Sequence, residues 1–303
     1  MENAASARSD ARLEERRVGW IGAGKMGAPM IRNLLAHQTR VTVTEPDDAA
    51  LAGVVASGAR AARLADQADT AIVFTTLPND AVLREVVLGG TGLAGLMRPG
   101  ATLVEMSTVS PDASAEVAAA LAGAGVRYLR APVSGSTALA EKALLTVLAS
   151  GDAEGWEAAL PYLAMMSQKR FYLGAGDEAR YMKLVLNTLV GATSAILAEA
   201  LALGAQGGLG ADAMMEVICD SAVASPLLGY KRAAVVAGDY APAFTIGQMI
   251  KDFTLISDAG RSRGVPLPAT SLILETYRAA ANAGLRDKDF FALVEWQAKL
   301  SAG

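Results

Sequence analysis

The sequence predicts an α/β fold: a doubly wound, mostly parallel sheet over the first half of the chain, followed by an all-helical domain. Three observations predict it. Short apolar runs alternate with helical segments from Arg17 to about Ala149. A glycine-rich turn, Gly22-Ala23-Gly24-Lys25-Met26-Gly27, joins the first run to the first helical segment. After Gly176 the strand-like runs stop and long helical stretches take over.

Arg17-Val18-Gly19-Trp20-Ile21 reads as a buried strand, and Met26 to Ala36 as the helix that follows the glycine turn. Arg40-Val41-Thr42-Val43-Thr44 is the second strand, with a helix around Ala49 to Ser57. Ala71-Ile72-Val73-Phe74-Thr75 is the third, followed by a helix from Ala81 to Val87. Thr102-Leu103-Val104-Glu105-Met106 is the fourth, followed by a helix from Ser110 to Ala122. Arg127-Tyr128-Leu129 and Leu145 to Ala149 complete the strand-like runs. Short apolar strands that alternate with helices belong to a parallel sheet covered on both faces. Beyond them the chain reads as helical from Glu178 to Gln206 and near 211–222, 248–263, 268–283 and 287–300. The glycines of Leu173-Gly174-Ala175-Gly176 mark the boundary. The expected organisation is a flexible tail over residues 1–16, a sheet domain over 17–176 and an all-helical domain over 177–303, joined by a long interdomain helix.

Composition narrows the chemistry. A chain of 303 residues suffices for two domains with a core each. Hydrophobic residues make up 52% and charged residues 19%, which excludes a disordered chain. The net charge of −4 offers no basic surface for nucleic acid. One histidine, His37, and one cysteine, Cys219, leave no ligand set for a zinc site and no internal disulfide, so no metal is expected. His37 follows a helix beside Gln38 and Thr39 and reads as a solvated loop residue rather than a triad member. Cys219, in Val217-Ile218-Cys219, reads as a small core residue. Residues 1–16 have no apolar core and do not read as a signal peptide, so a cytoplasmic protein is expected. Residues 184–203 are apolar enough to test as a membrane span. Asn187 and Glu199 interrupt them and no aromatic belt flanks them, so a helix buried between domains or subunits is expected instead, with no membrane partner.

The glycine turn has the context of a dinucleotide-binding loop. Its first glycine permits a tight turn, its second lets backbone approach a pyrophosphate, and its third lets helix and strand pack closely. The free N–H groups of the helix start face the phosphates. The second strand ends at Glu45, whose carboxylate can accept hydrogen bonds from ribose hydroxyls and would repel a 2′-phosphate. Pro46 and Asp47 follow, with no arginine to pair such a phosphate. NAD is therefore expected ahead of NADP.

Lys183 and Asn187 are four residues apart and project from one face of a helix. Val185, Leu186, Leu189 and Val190 are expected to surround them with apolar character. Loss of solvation would lower the lysine pKa, and such a lysine can exchange a proton near neutral pH. Alcohol oxidation needs this: hydride leaves carbon for a nicotinamide while a base takes the hydroxyl proton.

These motifs together resemble the β-hydroxyacid dehydrogenase family, which includes 3-hydroxyisobutyrate dehydrogenase and tartronate semialdehyde reductase. The resemblance extends from Val18 to about Ala298. Gly19 to Met30 resembles the family's first motif, including its Met-Gly-x-Pro-Met ending. Thr76-Leu77-Pro78 is similar to a second element, which implies that Leu77 and Pro78 line the cofactor. Glu105 to Pro111 is similar to a third, with Thr108 at a cofactor-contacting position. Ala131-Pro132-Val133-Ser134-Gly135 is similar to the substrate motif. This implies that Ser134, Gly135 and the adjoining Ser136 bind the substrate carboxylate, for which a hydroxyl and free amides are good donors. Lys183 falls at the family's catalytic lysine and Asn187 at its substrate-orienting asparagine. Phe244 to Asp252 resembles the last motif, which places Lys251 near cofactor and substrate carboxylate. The resemblance implies a Rossmann-type first domain; with the helical domain following it, the site is expected in the cleft between them, and the apolar helix from Lys183 to Gln206 is expected to pack against a partner subunit in a homodimer or homotetramer.

Several positions depart from the family pattern. Arg130 stands where Asp is usual, Ser136 replaces a second glycine, and Ala138 and Ala143 stand at two further glycine places. Val82 replaces a common cofactor-side asparagine, and Leu186 the first of an asparagine pair. Arg130 either adds positive charge near the pocket or pairs with a nearby acid; pairing is the expectation. The function expected is reversible oxidation of a small 3-hydroxy carboxylate to its semialdehyde or keto acid. An imine reductase on the same fold and a non-catalytic NAD-binding protein are the alternatives.

Overall fold

The computed structural model describes residues 17–301. The tail expected over residues 1–16 lies outside the described residues. The chain divides into two compact units, one ending at Lys183 and one beginning at Leu184.

The first unit is built on a nine-stranded sheet. Its strands are β1 (Arg17–Ile21), β2 (Arg40–Thr44), β3 (Arg60–Ala61), β4 (Ile72–Thr75), β5 (Thr102–Glu105), β6 (Arg127–Arg130), β7 (Val133–Ser134), β8 (Leu145–Gly151) and β9 (Ser167–Tyr172). The order is β3-β2-β1-β4-β5-β6-β8-β7, with β9 paired to β8. The strands from β3 across to β6 are all parallel, and the chain reverses its direction of travel across the sheet between β1 and β4. Loops at the carboxyl ends of β1 and β4 therefore flank a topological switch point, where open α/β sheets bind ligands. β8 runs antiparallel to both β6 and β7, which makes the sheet mixed rather than purely parallel. The connection from β7 to β8 holds only one short helix, too little chain for a crossover to a parallel strand.

Helices α1 (Gly27–Ala36), α2 (Asp48–Ala56), α3 (Asp80–Leu88), α4 (Leu93–Leu96), α5 (Pro111–Gly123), α6 (Thr137–Glu141) and α7 (Ala153–Met166) connect these strands. Alternate strand residues enter two separate cores. Trp20, Phe74, Val104 and Leu129 pack with Met30 and Leu34 of α1 and Leu163 of α7. Ile21, Val73, Leu103 and Tyr128 pack with Leu83 of α3 and Val117 and Leu121 of α5. Both faces are buried, which is why the strands read as unbroken apolar runs. Side-chain caps at Asp47, Asn79, Ser110 and Asp152 fix the starts of α2, α3, α5 and α7.

α8 (Glu178–Gln206) begins in the first unit and continues through the second. The second unit adds α9 (Ala211–Asp220), α10 (Pro226–Ala237), α11 (Ile246–Ser262), α12 (Pro268–Ala280) and α13 (Leu293–Ser301). Leu197, Leu201, Met215, Phe253, Tyr277 and Phe291 anchor its core, and Cys219 is half-buried against it. Gly191 is required at the crossing of α8 and α11, because a Cβ there would lie 2.2 Å from Phe253. Within α8, 44% of the most apolar window is buried, and its length and composition would let it cross a membrane. Leu189, Ile196 and Leu203 recur every seven residues and are 62%, 58% and 77% exposed, so the helix carries an outward apolar stripe.

Candidate active site

The glycine turn sits at the carboxyl end of β1. Gly22 has φ +92°, and a Cβ on it would lie 2.2 Å from the Thr76 carbonyl. Its own carbonyl accepts hydrogen bonds from Thr76 Oγ1 at 2.5 Å and Trp20 Nε1 at 2.9 Å. A Cβ on Gly27 would lie 2.1 Å from that same carbonyl, so helix and turn close on each other there. Gly24 differs: no atom lies within 4 Å of where its Cβ would be. α1 starts with no side-chain cap. Lys25 is exposed and Met26 half-buried beside this opening. Glu45 closes the other side, with Oε2 accepting from the Ala23 amide at 2.5 Å and Oε1 from the Asp47 amide at 2.9 Å. A tight turn and an open face at the second glycine fit the pyrophosphate of a dinucleotide.

The next two loops adjoin through one hydrogen bond. The Leu77 amide donates to Ser107 Oγ at 2.7 Å, which joins the segment carrying Leu77 and Pro78 to the segment carrying Thr108. Ser134 ends β7, paired with Thr146. Gly135 follows with φ +139° and a Leu145 methyl 2.8 Å from its Cβ direction, so this turn also requires glycine. Ser136 caps α6, its hydroxyl accepting from the Leu139 amide at 3.4 Å.

Lys183 is half-buried in α8 and Asn187 is buried one turn on. Val185 and Leu189, expected to enclose them, are 52% and 62% exposed. The reason is angular: each stands two residues from Lys183 or Asn187, about 200° around the helix. The surroundings of Asn187 are polar instead. Its Nδ2 donates to Asp252 Oδ2 at 2.5 Å, and Asp252, 1% exposed, holds Lys251 Nζ 3.2 Å from its other oxygen. Asp252 thus joins two residues that the sequence singled out separately. Ser134 and Lys183 belong to the first unit, Asn187 and Lys251 to the second.

A buried polar network ties the first turn of α8 to β5, β6 and α5. The Arg180 guanidinium pairs with the Glu105 carboxylate, both fully buried. It donates to the Ser107 carbonyl at 2.8 Å, Tyr128 Oη at 3.2 Å and Ser114 Oγ at 3.2 Å. Glu105 Oε1 accepts from the Ser107 amide at 2.7 Å. Ser114 Oγ accepts from Arg130 Nε at 3.1 Å and donates to Asp177 Oδ1 at 3.2 Å. Arg130 and Asp177 form an ion pair at 2.5 Å, so Arg130 takes the pairing expected of it. Burial works against the Arg180 charge, but Glu105 and Tyr128 more than offset it, and the guanidinium pKa lies above its ordinary value. Burial pushes the Tyr128 phenol up as well. Sequence reading did not single out Glu105, Ser114, Asp177 or Arg180. The signal present was a carboxylate ending an apolar strand and an arginine inside an apolar helix, two charges that burial obliges to find partners.

His37 is exposed and its Nδ1 contacts the Asn33 carbonyl at 2.8 Å, away from these loops. Among the described residues, no group of His, Cys, Asp and Glu could hold a metal ion.

Residues 17–174 match the NAD binding domain of 6-phosphogluconate dehydrogenase. Residues 174–297 match the NAD-binding family of NADP-dependent 3-hydroxyisobutyrate dehydrogenase. The 2-(hydroxymethyl)glutarate dehydrogenase of Eubacterium barkeri is 33% identical over 285 residues, covering 93% of this chain and 95% of the relative. The chain belongs to the β-hydroxyacid dehydrogenase family. The NAD-dependent L-serine dehydrogenase of Pseudomonas aeruginosa is also 33% identical, covering 91% and 95% of the two chains. The crystal structure of 3-hydroxyisobutyrate dehydrogenase from Salmonella typhimurium superposes with a TM-score of 0.83 at 30% identity, covering 92% and 99%. This family member is an oxidoreductase acting on CH–OH donors, with an NAD(P)-binding Rossmann-type domain.

Proposed function

We propose that the enzyme reversibly oxidises a small 3-hydroxy carboxylate to its semialdehyde or keto acid, prefers NAD, and uses Lys183 as general acid–base. The observation that carries this reading is the pair of Lys183 and Asn187 one helical turn apart, with the Asn187 amide held by a buried Asp252 that also meets Lys251. The relatives are named for 2-(hydroxymethyl)glutarate, L-serine and 3-hydroxyisobutyrate. Each of those compounds is a 3-hydroxy carboxylate.

Each residue has one task in this reading. The turn formed by Gly22, Ala23, Gly24, Lys25, Met26 and Gly27 cradles the pyrophosphate, with the Gly22 and Ala23 amides held by Thr44 and Glu45, and Glu45 receives the adenosine ribose. Leu77, Pro78 and Thr108 line the remainder of the dinucleotide. When bound, the nicotinamide supplies the hydride acceptor or donor. Ser134, the amides at Gly135 and Ser136, and Lys251 hold the substrate carboxylate by charge-assisted hydrogen bonds. Asn187, its Nδ2 committed to Asp252, orients the reacting hydroxyl. Lys183 Nζ takes the proton from that hydroxyl oxygen during oxidation and returns it to the carbonyl oxygen during reduction.

The test is Lys183→Ala. NADH binding is expected to survive while turnover falls by about 10²–10⁴-fold, the usual contribution of a positioned general acid–base. Wild-type turnover in the variant refutes the assignment. A screen of NAD reduction across 3-hydroxyisobutyrate, 3-hydroxypropionate, glycerate, threonate, serine and 4-hydroxybutyrate then names the substrate. Turnover of a cyclic imine with none of these hydroxyacids refutes the substrate class.

A further inference from the structure

We propose that Arg180 and Glu105 form a positioning lock that sets the placement of Lys183 relative to the loops carrying Leu77 and Thr108; this rests on the acid–base reading of Lys183. Arg180 and Lys183 stand three positions apart, so they lie about 60° apart around α8 and about 4.5 Å apart along it. Any rotation or slip of the helix start moves both.

Arg180 fixes that start in direction as well as distance. Its planar fork reaches Glu105, Ser107, Ser114 and Tyr128 at once, and a guanidinium meets such a set of acceptors in only one orientation. Arg130 and Asp177 brace the turn that enters α8 through the same Ser114 hydroxyl. The other half of the lock faces the loops. Glu105 Oε1 accepts from the Ser107 amide, and Ser107 Oγ accepts from the Leu77 amide, each at 2.7 Å. One buried carboxylate thus holds both the helix start and the two loop segments. The base and the wall it works beside share a single anchor.

Stability alone does not account for the pair. A buried ion pair is commonly no more stabilising than apolar side chains of the same volume. What it adds here is a fixed geometry, and a reacting group displaced by about 1 Å can cost roughly 10²-fold in rate.

The test compares Arg180→Lys and the double variant Glu105→Gln/Arg180→Met with Lys183→Ala. The Glu105→Gln change keeps an acceptor for the Ser107 amide, and together the two changes remove both buried charges. For the double variant, a cooperative melt and an NADH Kd within a few-fold of wild type are expected, with KM for the hydroxyacid similarly little changed. Its kcat is expected to fall about 10²-fold, with an increased primary isotope effect on a substrate deuterated at the reacting carbon. Arg180→Lys keeps the charge without the fork and is expected to lie between the two, and it carries the test if the double variant does not fold. A purely structural pair would lower the melting temperature and leave kcat and the isotope effect alone. Folded lock variants with kcat within twofold of wild type, beside an inactive Lys183→Ala, overturn the lock and leave the base standing. Wild-type activity in Lys183→Ala overturns the base, and the lock with it.

Discussion

Alanine at Gly24 separates what the glycine turn does for folding from what it does for binding. Gly24 and Gly27 have opposite surroundings. A Cβ on Gly24 meets nothing within 4 Å, and its φ lies outside the left-handed region, so the native backbone accepts alanine without strain. Restricting the unfolded chain at such a position stabilises by about 0.4–1 kcal/mol. For a domain of this size that raises the melting temperature by about 1–4 °C. The same methyl projects into the opening through which backbone would approach a pyrophosphate. Keeping the phosphates away by about the width of a methyl is expected to weaken NADH binding 10- to 100-fold, or about 1.4–2.8 kcal/mol. Gly27→Ala inverts the pattern on the folding side. Its Cβ would lie 2.1 Å from the Gly22 carbonyl and 2.5 Å from Thr76 Oγ1, so backbone must move. Overpacking of that kind costs about 1–3 kcal/mol, and the melting temperature falls by several degrees. Thermal melts and NADH fluorescence titrations on both variants give the comparison. A Gly24→Ala enzyme that binds NADH as tightly as wild type refutes the phosphate-cradle reading, because the turn would then be only a turn.

Three further outcomes follow from named contacts. Glu45→Gln keeps an acceptor for only one of the Ala23 and Asp47 amides and removes the charge that opposes a 2′-phosphate; the ratio of kcat/KM for NAD over NADP is expected to fall at least tenfold, and an unchanged ratio refutes the role of Glu45. Leu189→Glu with Ile196→Glu places two charges on the outward stripe of α8; light scattering is expected to show a homo-oligomer for the wild type and a smaller mass for the variant, and a wild-type monomer refutes an interface there. Burial pushes the Tyr240 phenol up to about 12 and the Tyr277 phenol higher. Both are raised above the unfolded value of about 10, so their contribution is intact below pH 10 and is lost as pH climbs from 10 toward 12. Melting temperature should fall across that window, and tyrosinate absorbance from Tyr277 should appear only with unfolding.

Much of the first unit was legible because its strands are buried on both faces. The runs at 17–21, 40–44, 72–75 and 102–105 carry no charge in their interiors, and glycine or polar residues punctuate them. β9 was illegible for the opposite reason: Ser167-Gln168-Lys169-Arg170 is an edge, paired on one side only and mostly exposed. α7 went unread where Pro161 interrupts an otherwise helical pattern, and α10 where Gly229 and the polar Tyr230-Lys231-Arg232 break the apolar spacing. In the candidate site, glycine positions and local spacing were visible because they act over a few residues. The contact of Asp252 with Asn187 joins distant parts of the chain, and no local pattern announces such a partner.

Arg130 shows how a departure from a family pattern can conserve the physics beneath it. A basic residue where an acid is usual would place an unpaired charge at the carboxyl end of a buried strand, at a cost of several kcal/mol. Asp177 supplies the acid from the other side, at the entrance to α8, and Ser114 bridges the two. The sign at position 130 is reversed and the charge is already spent within the fold. Arg130 therefore gives no grounds for a second anionic group on the substrate, and specificity must be sought at other departures. Ser136 is partly committed as the cap of α6, whereas Val82 and Leu186 replace amides with aliphatic side chains. Leu186 stands beside Asn187 in the chain, and an aliphatic side chain facing the substrate there would favour an apolar substituent beside the reacting hydroxyl. In the hydroxyacid screen, 3-hydroxyisobutyrate is accordingly expected to show a higher kcat/KM than glycerate or threonate. The reverse order would mean that the Leu186 side chain does not face the substrate.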